Sequence, residues 1–545
     1  MSTQYFPRGN ASWQDDHEPI ATTQWTSPAG TLESFSYDVR LQNPFIFGKL
    51  VREDGKDQVL AHDDNAHIVT VAGSRAGKGV SLIVPNLLSY KGSVIAVDPK
   101  GENANITAEW REEELKQEVI ILDPFGETNF VSNSYNPLLF LNSKHKEFMD
   151  DITDLAEALI VRGNSNDPHW DESARSMNKM VIKYIVVDHD IPDRNLTWLR
   201  KLLLDGQSKS EKPFYEQPTF EYDDEISETE NDEIRQEVSQ EIESDQKKSF
   251  KQFLKNLSDH DDIFIKGTAQ RFLQAGEKEL GSIISTTQRN TEFLDSPCIC
   301  ETLEKNDFDL SILREGATIY LVLPEIRLTG QSRWLRLMLT VFLRHLQIDK
   351  KKSKDDPSVL VVLDECAALG YMQVIERAVG YIAGFGVRLW SIWQDLSQLK
   401  KNYPESWETF IGNAGMFTAF GNIDLTTREY ISKCLGQCET PRIEVSTTGG
   451  SSHSENKAGL DQIMKSSLAS VDTGGSEGTS ESYNRKPTHV ISPLLLPEEV
   501  GRYFGKSTDK VLALFGQGQP VYAQRIKYYE DEPFKSRAGD NPLYE

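Results

Sequence analysis

Residues 69–81 read VTVAGSRAGKGVS, and residues 359–365 read VLVVLDE. The first stretch has the make-up of a phosphate-binding loop, with Gly73, Gly77 and Gly79 set around Lys78. Glycines let backbone N–H groups turn inward around phosphate oxygens, and the positive end of a following helix faces the same charge. Gly73, Ser74, Arg75, Ala76, Gly77, Gly79 and Val80 would form that cradle, and Lys78 would reach the outer phosphates. The loop departs from G-x-x-x-x-G-K-[ST] at both ends, with Ala72 first and Gly79 last. Ala72 is tolerable at a negative φ. Gly79 keeps an N–H for phosphate but brings no hydroxyl to Mg²⁺. Ser81 lies roughly 200° further around a helix of about 3.6 residues per turn, a poor substitute.

The second stretch is five apolar residues followed by two acids, the Walker B form. A buried strand ending in this way sets its acids at the carboxyl edge, where open α/β sheets bind ligands. Asp364 is the expected Mg²⁺ ligand. Glu365 is expected to orient or deprotonate the attacking water, as hydrolysis of a γ-phosphate requires. Gln394 ends the next apolar run, VRLWSIWQ, where an amide could read the γ-phosphate or position water. Asp98 and Lys100, in DPKGE, end a further strand at the same edge, or simply stop it.

These groups need a scaffold, and the apolar spacing supplies one. IVTVA, SVIAV, EVIIL, ATIYLVL, VLVVLDE, VRLWSIWQ and GMFTAFG are short apolar runs, and helical patterns separate most of them. Continuous apolar strands in that rhythm predict a mostly parallel sheet covered on both faces, an α/β fold of the P-loop NTPase type. From 148 to 295 the apolar spacing becomes helical, which predicts an all-α domain inserted into the α/β domain of 36–147 and 296–530. Residues 1–35 read as a flexible arm, with short strands following in SFSYDVRL and NPFIFGKL. Residues 444–487 are rich in Gly, Ser, Thr and Glu and read as a disordered loop. Residues 531–545 read as an acidic tail.

The formal charge of −25 argues against an outer surface coated for nucleic acid, but leaves room for a basic inner channel. Residues 223–245 carry eleven acids against Arg235, so that segment accounts for a large share of the excess. It reads as a solvated loop, or as a contact for a basic partner. Five cysteines are too few for a disulfide framework in 545 residues and read as reduced thiols. Cys434 and Cys438 have helical ligand spacing but no second pair nearby. No stretch approaches the roughly 18–20 apolar residues of a membrane helix, and no signal peptide is evident, so the expected location is cytoplasmic.

GSRAGKGVSLIVPNLLSYKGSVIAVDPKGEN (73–103), DPHWDESAR (167–175), VLVVLDECAALGYMQVIERAVGYIAGFGVRLWSIWQDLSQL (359–399) and PLLLPEEV together resemble the TraG-type coupling ATPases of type IV secretion and conjugation. Those are RecA-like DNA motors, and the likeness runs from about 45 to 530. GKG in place of GKT occurs widely among them, so Gly79 looks like a family trait. The resemblance implies ATP and Mg²⁺ as cofactors and a hexameric ring with ATP at subunit interfaces. It implies a helical domain facing the substrate. It also implies a role in receiving a relaxase–DNA complex, or protein substrates, and feeding a secretion channel. An interface site calls for an arginine in trans, for which Arg377, Arg388 and Arg428 are the candidates. Typical members begin with transmembrane helices and this sequence shows none, so docking is expected through the N-terminal arm or a membrane partner. DNA contact would be sequence-tolerant, through clusters such as Lys247, Lys248, Lys251 and Lys255, or Lys350–Lys352. Two other readings are a receptor that binds nucleotide mainly to assemble, and a chromosome-segregation or DNA-packaging pump. DPKGE and DPHWDESAR match the conjugation family more closely than that pump.

Overall fold

The computed structural model describes residues 23–541, apart from 53–54, 161–168, 189–190, 192–193, 206–247, 350–352, 354–355 and 453–477. The acidic segment 223–245 and the lysines at 350–352 lie outside the described residues. The chain falls into two compact units: residues 26–428 with 501 onward, and residues up to 25 with 429–500.

The larger unit is built on one sheet. Its strands are β1 (Pro44–Leu50), β2 (Gln58–Asp63), β3 (His67–Ala72), β4 (Val94–Asp98), β5 (Glu118–Leu122), β6 (Ala317–Val322), β7 (Val359–Leu363), β8 (Val387–Trp393) and β9 (Ala414–Phe420). The smaller unit holds β10 (Gln437–Ser452) and β11 (Gly478–Pro493), after which β12 (Lys510–Phe515) and β13 (Val521–Gln524) rejoin the large sheet. The order is β2-β1-β13-β12-β9-β3-β8-β7-β4-β6-β5. From β9 to β5 every pairing is parallel, and from β9 to β2 every pairing is antiparallel. The parallel half follows from its sequence: β3, β4, β6, β7 and β8 are buried along their whole length, so both faces must be apolar. Three central strands are also tied by polar side chains within the core. Trp390 Nε1 donates to Thr70 Oγ1 at 2.8 Å, and Thr70 and Thr418 share a hydrogen bond of 2.7 Å.

Register sets the site. Val71 pairs with Trp393 and Leu363 with Ser391, so β3, β8 and β7 end side by side at their carboxyl edge. The chain leaving β3 enters the glycine loop, β8 is followed directly by Gln394 and β7 by Asp364.

Among the described residues, 148–295 form helices joined by short turns and contain no strand. The helices are Phe148–Leu159, His169–Val187, Leu196–Asp205, 248–257, Ile263–Gln274 and Glu277–Thr291. Their apolar faces enclose Ile152, Met177, Val181, Leu199, Phe253 and Ile283.

Three expectations are revised. Residues 28–35 of the presumed arm form a helix capped by Ser27, whose Oγ accepts from Gly30 N at 3.1 Å. That helix takes in the start of SFSYDVRL, which is not a strand. The Gly/Ser/Thr-rich stretch is in part a two-stranded antiparallel ribbon, with 444–452 paired to 478–486; residues 453–477 lie outside the described residues. Its β-branched residues alternate, Ile443, Val445 and Thr447, which favours a strand over a loop. The tail up to 541 is packed, because it carries an aromatic among its acids. Phe534 is fully buried with Ile46, Val84 and Ile106, Asp531 pairs with Lys49 at 2.6 Å, and the Arg537 guanidinium lies 5.2 Å from the Trp110 ring centre.

Candidate functional site

The glycine loop bends at two left-handed residues, Arg75 (φ 55°) and Gly77 (φ 84°). Gly77 suits that conformation, whereas a side chain at Arg75 is strained there. Ala76 N donates to Gly73 O at 3.0 Å, closing the turn. The helix that follows opens as a π-helix over Gly79–Ile83 and continues over Val84–Leu87. Pro85 in the first turn lacks an N–H, and Val84 N reaches back to Gly79 O. The loop is pressed against the end of β9: Gly73 N donates to Phe420 O at 3.3 Å, and a methyl group on Gly421 would collide with the Ala76 side chain. Gly421 (φ 68°) is therefore needed both for its backbone angle and for its lack of a side chain.

Lys78 reaches across the strand ends. Its Nζ lies 2.9 Å from Asp364 Oδ1 and is hydrogen-bonded to Glu365 Oε1. Gln394 Nε2 donates to the other oxygen of Glu365, Oε2, at 3.0 Å. Glu365 N donates to Asp364 Oδ1 at 3.0 Å, and Glu365 itself stands at φ 55°. Three non-glycine residues with positive φ occur among the described residues, and two of them, Arg75 and Glu365, lie in this site. Strain of this kind concentrates where geometry serves function.

Electrostatics follow from burial. Taking Lys78 out of water disfavours its charge, but Asp364 and Glu365 more than offset this and hold its pKa above the ordinary lysine value. Burial raises Asp364 against the opposing pull of Lys78. The ammonium thus neutralises two carboxylates that would otherwise repel each other at the strand end.

Lys78, Asp364, Glu365 and Gln394 are brought together, with Gly73, Ser74, Arg75, Ala76, Gly77, Gly79 and Val80 on the loop beside them. Asp98 plays another part. Its Oδ2 accepts from Ala104 N at 2.9 Å and its Oδ1 from Asn103 Nδ2 at 3.3 Å, so it satisfies the start of the helix Glu102–Glu113. Burial raises its pKa to about 7. Of the three trans-arginine candidates, Arg388 is removed. It is 1% exposed, and it donates to Ala66 O at 2.7 Å and Asn43 O at 2.9 Å. Arg428 Nε donates to Asp424 O at 3.2 Å, and Arg377 lines a cleft with Asp154, Arg344 and Tyr381. Among the described residues no cluster of metal-ligating side chains is formed with Cys434 and Cys438, and all five cysteines are free. No described helix is long and apolar enough to cross a membrane.

Sequence reading missed Arg525 and Gly421, both of which touch the loop. No local pattern marks either one, because their partners lie hundreds of residues away.

The donor set suits a magnesium nucleotide. The loop offers N–H groups and Lys78 for phosphate, and Asp364 is a buried carboxylate already facing a cation, the Lys78 ammonium. Gly79 supplies no hydroxyl, so the protein's contribution to the metal shell rests on carboxylate.

Residues 13–543 match the family described as type IV secretory system conjugative DNA transfer. The chain is 23% identical over 556 residues to a conjugal transfer protein TraG of Escherichia coli, covering 97% of this chain and 78% of that one. It is 24% identical over 527 residues to protein VirD4 of Agrobacterium fabrum, covering 95% and 67%. Its fold is similar to that of the plasmid coupling protein TrwB, solved with ADP and Mg²⁺. The TM-score is 0.58 at 14% identity, over 95% of this chain and 96% of that one. With the glycine loop, the DE pair and the sheet that aligns them, the match over nearly the whole length establishes that this chain belongs to the type IV secretory system conjugative DNA transfer family.

Proposed function

We propose that the protein is an ATP-hydrolysing coupling protein that hands a relaxase–DNA complex, or protein substrates, to a type IV secretion channel. The observation that carries this reading is the convergence of Lys78, Asp364, Glu365 and Gln394 at three adjacent strand ends in a chain of this family.

In this reading the loop N–H groups and Lys78 bind the nucleotide phosphates. Lys78 exchanges its two carboxylate partners for phosphate, which leaves Asp364 as the residue that would hold Mg²⁺; the metal would supply charge neutralisation at the phosphates. Glu365, released from Lys78, takes the proton of the attacking water at its carboxylate, and Gln394 keeps that carboxylate oriented through its amide. A neighbouring subunit in a hexameric ring supplies an arginine, for which Arg377 and Arg428 remain. The inserted helices face the cargo, and DNA is held by backbone charge. Membrane recruitment goes through a partner.

The test is cargo transfer in cells that carry the cognate secretion system. Glu365→Gln keeps the shape of the site and removes the base, so transfer is expected to fall about 100-fold or more at unchanged protein level. Transfer at the wild-type frequency would defeat the reading of Glu365 as the base.

A further inference from the structure

The chain leaving β13 places Arg525 directly under the glycine loop. Its side chain is 11% exposed. Nη1 donates to the carbonyl oxygen of Ala76, and Nη2 to Thr508 O at 2.6 Å. Nη2 also lies 3.6 Å from Asp509 Oδ1, while Arg525 N donates to Asp509 O at 2.8 Å. The guanidinium is stacked 5.2 Å from the centre of the Phe420 ring, which ends the strand beside β3. It is therefore fixed by its own backbone, by the 506–509 turn and by an aromatic face before it meets the loop.

The contact with Ala76 has a consequence for the next peptide group. A trans peptide is planar, and its C=O and N–H point in opposite directions. Holding the Ala76 oxygen therefore aims the Gly77 N–H away from the Arg525 guanidinium. Among the described residues no group accepts that N–H, whereas Ala76 N and Ser81 N each have a carbonyl partner. A cation on the carbonyl also strengthens the N–H as a donor, by polarising the peptide. Gly77 at φ 84° gives the loop freedom to rotate this peptide, so the orientation needs an external hold.

We infer that Arg525 is a positioning residue of the phosphate site: it grips the Ala76 carbonyl and thereby presents the Gly77 N–H to a nucleotide phosphate. The inference rests on the nucleotide reading above. It gives the C-terminal strands a part in that site, and it offers one source of affinity in a loop that lacks the hydroxyl at Gly79.

The experiment measures equilibrium binding of a fluorescent ADP, with Mg²⁺, to the full chain as wild type, Arg525→Met and Arg525→Lys, each checked by circular dichroism and thermal unfolding. Arg525→Met keeps the stem and removes the donors. It is expected to bind ADP about 10-fold to 100-fold more weakly, as loss of a charge-assisted contact predicts. Arg525→Lys should recover part of that loss, and millimolar guanidinium should restore part of it to Arg525→Met. In steady state the KM for ATP should rise by more than kcat falls. Wild-type ADP affinity in a folded Arg525→Met overturns the inference. If that variant does not fold, Arg525→Lys decides: an unchanged ADP affinity and KM overturn the inference, and a weaker affinity with unchanged melting supports it. A wild type that binds no ADP sinks the nucleotide reading itself and this inference with it.

Discussion

Lys78 and Glu365 form the pair on which the proposed chemistry turns, and they differ in what their loss should do. On that proposal Lys78→Ala removes the phosphate contact, and it also leaves Asp364 and Glu365 side by side without their cation. It should weaken nucleotide binding. Glu365→Gln leaves Lys78 with Asp364 and should bind nucleotide while turnover falls about 100-fold or more. Titration of labelled ADP beside a phosphate-release assay separates the two. Equal loss of binding in both variants would contradict the assignment of roles. A second prediction concerns His67 at the start of β3. It is 4% exposed, and its Nδ1 accepts from Leu389 N at 3.1 Å. Burial, with the neighbouring Arg388 charge, lowers its pKa to about 4. A histidine depressed in the fold binds fewer protons than in the unfolded chain, so its contribution is whole above about pH 6.5 and is lost as pH falls towards 4. Wild type should lose on the order of 3 kcal/mol across that window from this group. His67→Asn, which keeps an acceptor for Leu389, should show a flatter decline in urea unfolding at pH 7.5 and pH 5. Parallel declines would refute the assignment.

At the scale of elements, one buried side chain joins the nucleotide strands to the inserted helices. Arg336, on the long helix Glu325–Ile348, is 2% exposed. It donates to Ala158 O at 2.8 Å and Ile160 O at 2.8 Å at the end of the helix Phe148–Leu159. It also donates to Leu369 O at 2.8 Å and Tyr371 O at 2.7 Å in the segment just after Glu365. Arg336→Met strands these carbonyls without a donor, and the expected loss is roughly 3–5 kcal/mol. Arg336→Lys should recover little, since an ammonium cannot match the span of a guanidinium fork. A thermal midpoint for Arg336→Met near the wild-type value would contradict this account.

The same scale shows what the sequence could disclose. VLVVLDE and VRLWSIWQ were legible as strands because both their faces are buried, so no period competes with the apolar run. Asp364 and Gln394 were legible because each ends such a run, and Lys78 because it sits among glycines just after one. The helix over 28–35 was hidden among polar residues, and the 437–493 ribbon by its glycines and serines. Arg525 and Gly421 were illegible for a different reason. Their roles exist only through partners such as Ala76 that the fold brings from far along the chain.

For the whole molecule, charge is the quantity that matters. At −25 the chain as a whole repels DNA, so the proposed contact has to be local and short in range. Lys248, Lys251 and Lys255 recur at helical spacing on the helix 248–257, whose opposite face buries Phe250, Phe253 and Leu254. Lys251 already pairs with Glu277 at 3.0 Å, an exposed contact of little strength that DNA phosphate can replace. Changing all three to alanine should lower the slope of log affinity against log salt by about 2–3. An unchanged slope would place DNA elsewhere on the molecule. The central claim is that the GKG loop and the DE strand form a working, cargo-responsive ATPase. Its most direct test is steady-state ATP hydrolysis by the purified full chain, with and without single- and double-stranded DNA, beside Lys78→Ala. The account predicts turnover that DNA stimulates and that Lys78→Ala abolishes. Turnover that survives Lys78→Ala, or nucleotide binding without turnover under any of these conditions, would contradict it.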